Sequence, residues 1–155
     1  MKRNRKNLLI CLAIPLIAGG LATLLSGGMD SYRGMNQPPL SPPGWVFPIV
    51  WTILYLLMGY ASYRILVSNA EPAAIKKALL FYGIQLFFNF LWPIIFFGLQ
   101  WYWAAFVLLL LLWIFIYLTI YQFGQIDETA ENLLIPYLLW VTFAGYLNFG
   151  VALLN

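Results

Sequence analysis

An all-α bundle of five membrane-spanning helices is the fold class this sequence predicts, on three observations. Of its 155 residues 63% are hydrophobic and only 8% charged, with a mean hydropathy of +0.85, where a soluble domain carries about 25% charged residues. No Asp, Glu, Lys or Arg occurs between Leu79 and Gln125, far too long an interval for a buried strand or core helix. Five stretches reach the roughly 20 mainly apolar residues that a spanning helix needs, since nothing in hydrocarbon satisfies a free backbone group. The chain reads as one membrane domain over residues 1–155.

The first span is predicted over 8–26. A signal peptide is the alternative, because Lys2, Arg3, Arg5 and Lys6 precede the apolar run and Gly19 and Gly20 follow. The run continues through Leu25 and no small-x-small site with a polar exit follows, which favours a span. Gly19, Thr23 and Gly27 form a small-xxx-small row that hints at helix association, such as dimerisation.

The outer loop, 27–44, carries Pro38, Pro39, Pro42 and Pro43. Each fixes its own φ and pushes the preceding residue away from helical geometry, so the loop reads as a semi-rigid strap. Gly44 marks the turn into the second span, 45–67, and Pro48 falls within its first turn or so, where the missing amide proton removes little. Trp45, Phe47, Trp51 and Tyr55 crowd the mouth of this helix, with Trp51 and Tyr55 on one face. Trp45, Trp101, Tyr102 and Trp103 suit an aromatic belt at the interface. Trp51 lies nearly two turns in, and rings pointing inward beneath a stiff strap are a way to cover a pocket for a flat apolar ligand.

The third span, 79–97, puts Gln85, Asn89 and Trp92 on one face. The fourth, 103–123, is apolar throughout. The fifth, 133–154, repeats the pattern in Trp140, Ala144 and Asn148, with Tyr137 and Val141 beside them. Such amides either bond neighbouring helices or tip the wall of a binding pocket, and both readings stay open. Ala144 and Gly145 beside Trp140 allow close packing or leave room for a ring system.

Basic residues gather at the amino end and between the second and third spans (Arg64, Lys76, Lys77), against Arg33 alone on the other side. The cell membrane is therefore expected to hold the amino terminus inside and the carboxyl terminus outside. Arg64, near an inner helix end, is expected to snorkel. The chain has no histidine and a single cysteine, Cys11, which removes imidazole chemistry and any intramolecular disulfide framework. No ionisable group lies deep in a span, which argues against a proton- or ion-coupled pump. Phosphate loops, paired carboxylates and metal-ligand clusters are absent from the sequence.

Taken in order, Pro42-Pro43-Gly44-Trp45-Val46-Phe47-Pro48 with Trp51, Leu54-Tyr55 and Met58-Gly59 on the second span, Gln85-Leu86, Asn89, Trp92-Pro93 and Phe96-Phe97-Gly98 on the third, and Pro136-Tyr137-Leu138, Trp140, Phe143-Ala144 and Leu147-Asn148 on the fifth resemble the translocator protein family, or tryptophan-rich sensory proteins (TspO/MBR). The resemblance covers essentially the whole chain. It implies a five-helix bundle, often dimeric, that binds porphyrins and isoquinoline or benzodiazepine ligands between the helices under the loop after the first span. The family's aromatic pocket positions fall on Trp51, Trp92 and Trp140, its amide on Asn89 and its small contact residue on Ala144. A further family tryptophan corresponds to Trp103 if the preceding loop shifts by one residue. Tyr55, Pro42 and Leu147 complete the expected ligand contacts. Animal members also carry a cholesterol-recognition pattern on the fifth span. Here Phe149 replaces its tyrosine and no Lys or Arg follows Lys77, which counts against a sterol partner.

Three functions follow as expectations. The first is a membrane receptor for tetrapyrroles acting as sensor, carrier or scavenger, with porphyrin as ligand, no required cofactor or metal, and no nucleic-acid partner. Without histidine, imidazole ligation of iron is impossible, which favours a metal-free porphyrin or a haem held through its ring. The second is a light- and oxygen-dependent porphyrin-degrading enzyme, with Trp51 and Trp140 as its catalytic residues. The third is a non-catalytic membrane interaction subunit. A homodimer stays open.

Overall fold

The computed structural model describes residues 4–28 and 30–155; Lys2 and Arg3, half of the amino-terminal basic cluster, lie outside the described residues. Among the described residues five helices are long and apolar enough to cross a membrane. They are α1 (Arg5–Ser26), α3 (Val46–Leu66), α4 (Pro72–Pro93, continued by a π-helical turn, Ile94–Gly98), α5 (Tyr102–Gly124) and α6 (Glu128–Leu154), with a single-turn helix α2 (Asp30–Arg33) inside the strap. Among the described residues there is no strand. The chain is a multi-pass membrane protein. Large apolar side chains such as Leu9, Leu24, Leu80, Val107 and Leu139 stand on outward faces, where acyl chains rather than water surround them.

The five spans alternate in direction, so one end of the bundle carries the start of α1, the α3–α4 turn and the α5–α6 turn. This is called the basic end; the opposite is the strap end. α5 packs between α4 and α6, α3 joins α6 to α1, and α1 lies against α3 and α4 at the edge. The edge position leaves α1 the least buried span.

Local chemistry explains the element ends. Asn4 caps α1 by accepting from the Asn7 amide at 2.8 Å. Gly27 ends α1 at φ 79°, and the amides of Gly27 and Gly28 return to the Leu24 and Thr23 carbonyls, a left-handed exit that glycine makes at no steric cost. Pro15 inside α1 cannot donate to the carbonyl four residues earlier, that of Cys11. Gly59 of α3 lies against it: a Cβ there would stand 2.7 Å from the Cys11 oxygen and 2.8 Å from the Leu12 Cα. Pro72 opens α4 at its first turn, well before the expected start at 79, because Lys76 and Lys77 are polar enough to lower hydropathy without interrupting a helix. Likewise α6 starts at Glu128 rather than 133. Asp127 caps it by accepting from the Thr129 amide at 3.1 Å, and Glu128 and Glu131 suit the positive end of its dipole.

Arg64, expected to snorkel at the basic end, is ion-paired there with Asp127 at the head of α6 and stands over the Tyr60 ring at 5.9 Å. Tyr102 is half-buried, with its ring edge-on against Phe96 at 5.2 Å. Trp45, Trp101 and Trp103 do face outward.

Candidate ligand-binding site

Beneath the strap end, α1, α3 and α4 diverge around a cavity of about 150 Å³. Trp51 and Tyr55, one turn apart on α3, stack at 5.6 Å to form one wall. Trp92, Pro93 and Phe97 supply a second from α4 and its π-turn, and Gly19, Thr23 and Ser26 of α1 line the third. A π-turn comes directly after Pro93, in which the Leu99 amide reaches back five residues to Ile94 at 2.9 Å; such turns often mark functional sites. Gly19 is required because an added Cβ would run into the Tyr55 ring.

The polar part of the wall is small and fully committed. Tyr55 donates to Asn89 Oδ1 at 3.0 Å, Asn89 Nδ2 donates to the Tyr137 hydroxyl at 2.7 Å, and Tyr137 donates to Gln85 Oε1 at 2.6 Å. Trp92 donates its indole N–H to Asn148 Oδ1 at 2.9 Å, and Asn148 Nδ2 donates to the Tyr102 carbonyl at 2.9 Å. All three amides tie spans together, and two of them also reach empty space: Asn89 the main cavity and Asn148 a smaller void beside it.

A second void of about 10 Å³ lies beside the first, directly under the strap, and reaches Ala144, Leu147 and Asn148 of α6. Phe47, Trp92 and Phe97 line both voids; these rings are the partition between them. Tyr32 closes the roof, with its ring edge-on to Phe47 at 5.1 Å and its hydroxyl donating to the Pro42 carbonyl at 2.6 Å. Burial pushes the Tyr32 phenol above its usual pKa, opposed by hydrogen bonding with Ser41. On the far side the strap is fastened to α6: Asn36 and Asn155 exchange hydrogen bonds, Tyr146 donates to the Pro39 carbonyl, and Pro38 sits in the notch left by Gly150.

The sequence model of the TspO/MBR family matches residues 8–154. This chain belongs to the TspO/MBR family. It is 37% identical over 157 residues to the tryptophan-rich protein TspO of Chlorobaculum tepidum, covering 100% of this chain and 99% of that one. It is 41% identical to the tryptophan-rich sensory protein of Cereibacter sphaeroides, over 80% of this chain and 76% of the relative. The translocator protein of Sus scrofa is 36% identical over 89% of this chain and 83% of its own length.

For this TspO/MBR chain the structure distributes the sequence-predicted site residues unevenly. Trp51, Tyr55, Asn89 and Trp92 meet at the main cavity. Ala144 and Leu147 lie across the ring partition. Trp140 does not line the main cavity; it stands behind Trp51, edge-on at 6.4 Å, and Phe47 touches it at 5.8 Å. Its buried indole N–H has no hydrogen-bond partner. Pro42 acts through its carbonyl on Tyr32 rather than as a wall. Trp103, read both as a belt ring and as a ligand contact, lines neither void: it is half-exposed and packs with Phe106 and Phe149 on the outer face of α5 and α6. Gly19 and Thr23, read as a helix-association row, both line the cavity, Gly19 buried and Thr23 exposed at its edge, while Gly27 is the cap of α1. The sequence reading missed α1 as a wall, and Tyr137 as the centre of the polar chain. The small residues of α1 were the available signal, since room for a guest and room for a neighbouring helix are made by the same side chains.

Proposed function

We propose that this protein is a membrane receptor for a planar tetrapyrrole, which it senses, carries or scavenges, and that isoquinoline- or benzodiazepine-type molecules occupy the same place. The observation that carries this reading is the cavity wall: indole and phenol faces on one side and a single amide at its tip; Arg33, exposed on the strap, is the cation we assign to a carboxylate edge. Aromatic faces stack on flat ring systems, and a few placed polar groups fix orientation. The descriptions of relatives as sensory and translocator proteins agree with a binding role. Drug-sized ligands occupy pockets of roughly 300 to 1,000 Å³, so the 150 Å³ cavity takes a porphyrin only when Phe47 and its neighbours swing and the two voids join. The guest then touches both Trp51 and Ala144.

Titration with protoporphyrin in detergent or lipid tests this. Tryptophan quenching is expected to saturate, and Trp51→Phe and Ala144→Phe are each expected to weaken binding at least tenfold; unchanged affinity in both removes the site. We place the amino terminus and the Arg64, Lys76 and Lys77 end inside the cell membrane on the positive-inside rule.

A second reading, light- and oxygen-dependent breakdown of the bound porphyrin, draws on the edge contact between Trp51 and Trp140. It places an oxidisable indole at the guest and another behind it. Illumination in air is expected to form a new chromophore in the wild type and not in Trp51→Phe. Equal bleaching in both leaves the binding role alone.

A further inference from the structure

The polar chain that starts at the cavity does not end where its protein partners end. From Tyr55 it passes through Asn89 and Tyr137 to Gln85 Oε1. Gln85 Nε2, on the other side of the same amide, is buried and hydrogen-bonds to no protein atom. One turn nearer the basic end on α4, the Tyr82 hydroxyl is in the same condition. Both side chains are more than nine-tenths buried, at 1% and 7% exposure. The Tyr82 phenol lies beside Ser62 and Cys11, in a contact with Ser62 too loose to count as a full hydrogen bond. Ser62 gives its own proton to the Gly59 carbonyl at 2.8 Å, so toward Tyr82 its oxygen can only accept. One unpartnered amide, one weakly held hydroxyl and one acceptor thus come from α4 and α3, at a depth where lipid offers no hydrogen bond.

Buried polar atoms without protein partners are ordinarily satisfied by ordered water, which makes about three hydrogen bonds at such a site. We propose that Gln85 and Tyr82 hold internal water, and that this water sets the orientation of the Asn89 amide in the ligand cavity. Water accepts from Gln85 Nε2, exchanges a hydrogen bond with the Tyr82 hydroxyl and donates to Ser62 Oγ. With Nε2 satisfied by water on that side, the Gln85 amide keeps Oε1, its only acceptor, turned toward Tyr137. Tyr137, having donated, accepts from Asn89 Nδ2, which turns Asn89 Oδ1 toward Tyr55 and the cavity. The chain does not conduct protons, because the two amides interrupt it. It orients, so Gln85 and Tyr82 are positioning residues for a site that neither touches. The inference depends on the bundle and not on which ligand the cavity takes.

The test uses the full chain in lipid bilayers. Solid-state NMR transfer of magnetisation from water is expected at the Gln85 side-chain amide in the wild type and is expected to be lost or strongly reduced in Tyr82→Phe. Absence of transfer in the wild type overturns the proposal, whether or not the variant folds. The melting temperature gives a second readout of opposite sign for the two cases. If the pocket is dry, Tyr82→Phe removes an unpaired buried hydroxyl and melts at or above the wild type, which overturns the proposal. If water is bound, the variant takes away one of its partners and melts lower. Gln85→Met, which cannot hold the chain's direction, is then expected to change protoporphyrin affinity at least threefold. An unchanged affinity overturns the positioning part.

Discussion

Tyr137→Phe is the most informative single change, because it deletes one oxygen and nothing else from the centre of the bundle. That oxygen donates to Gln85 Oε1 at 2.6 Å and accepts from Asn89 Nδ2 at 2.7 Å, in a side chain only 1% exposed. Hydrogen bonds between membrane helices average about 0.6 kcal/mol each, so losing two as plain bonds gives a lower bound of about 1.2 kcal/mol. If Gln85 Oε1 and Asn89 Nδ2 are left buried without partners, each orphan costs about 1 to 3 kcal/mol. The Asn89 amide can turn toward the cavity, so one full orphan is expected and the loss settles near 2 to 3 kcal/mol. Thermal or SDS unfolding of the purified chain measures it, with Gln85→Leu and the double variant completing a mutant cycle. Coupling well above 0.6 kcal/mol shows that the polar chain acts as a unit. A Tyr137→Phe protein as stable as wild type, or a cycle with no coupling, refutes the reasoning.

Three further outcomes follow from the packing. Gly59→Ala places a Cβ 2.7 Å from the Cys11 carbonyl and 2.8 Å from the Leu12 Cα; backbone cannot step aside, so a loss of about 1 to 3 kcal/mol is expected, read as a lowered melting temperature. Trp103→Leu is expected to leave protoporphyrin affinity unchanged, since that ring faces outward; weakened binding in the titration would contradict the placement of α5. Asn155→Ala removes its bonds to the Asn36 backbone and is expected to speed hydrogen exchange and proteolysis of the strap while stability changes by less than about 1 kcal/mol; an equally protected strap would show that the remaining ties, Tyr146, Pro38 and the Asn36 side chain on the Leu154 carbonyl, suffice.

Much of the bundle was legible because bilayer chemistry is a simple filter. A long uncharged apolar run has one stable conformation in hydrocarbon, so the spans and their number follow from composition. Boundaries were less legible: Lys76, Lys77, Glu128 and Glu131 lower hydropathy, yet they sit comfortably in the first turns of α4 and α6. At the site, the periodic rows on α3 and α4 bring Trp51, Tyr55, Asn89 and Trp92 to the same cavity, on facing walls. Rows say which residues share a helix face, not which neighbour that face meets. For that reason Trp140, expected beside the guest, stands behind Trp51; Trp103, read as a belt ring and only by resemblance as a ligand contact, lies on the outer face.

The amino-acid sequence by itself determined that this chain lives in a membrane, crosses it five times, carries a stiff proline strap and belongs among tryptophan-rich helical bundles, because these depend on composition and on local backbone restriction. Only the tertiary structure decided that α1 supplies the third wall of the cavity, that Phe47, Trp92 and Phe97 divide it in two, and that Tyr137 joins Asn89 to Gln85. Those facts depend on how helices rotate about their own axes against one another. That rotation is set by close approaches such as Gly19 against Tyr55 and Gly59 against Cys11, between residues far apart in the chain, which no local pattern records.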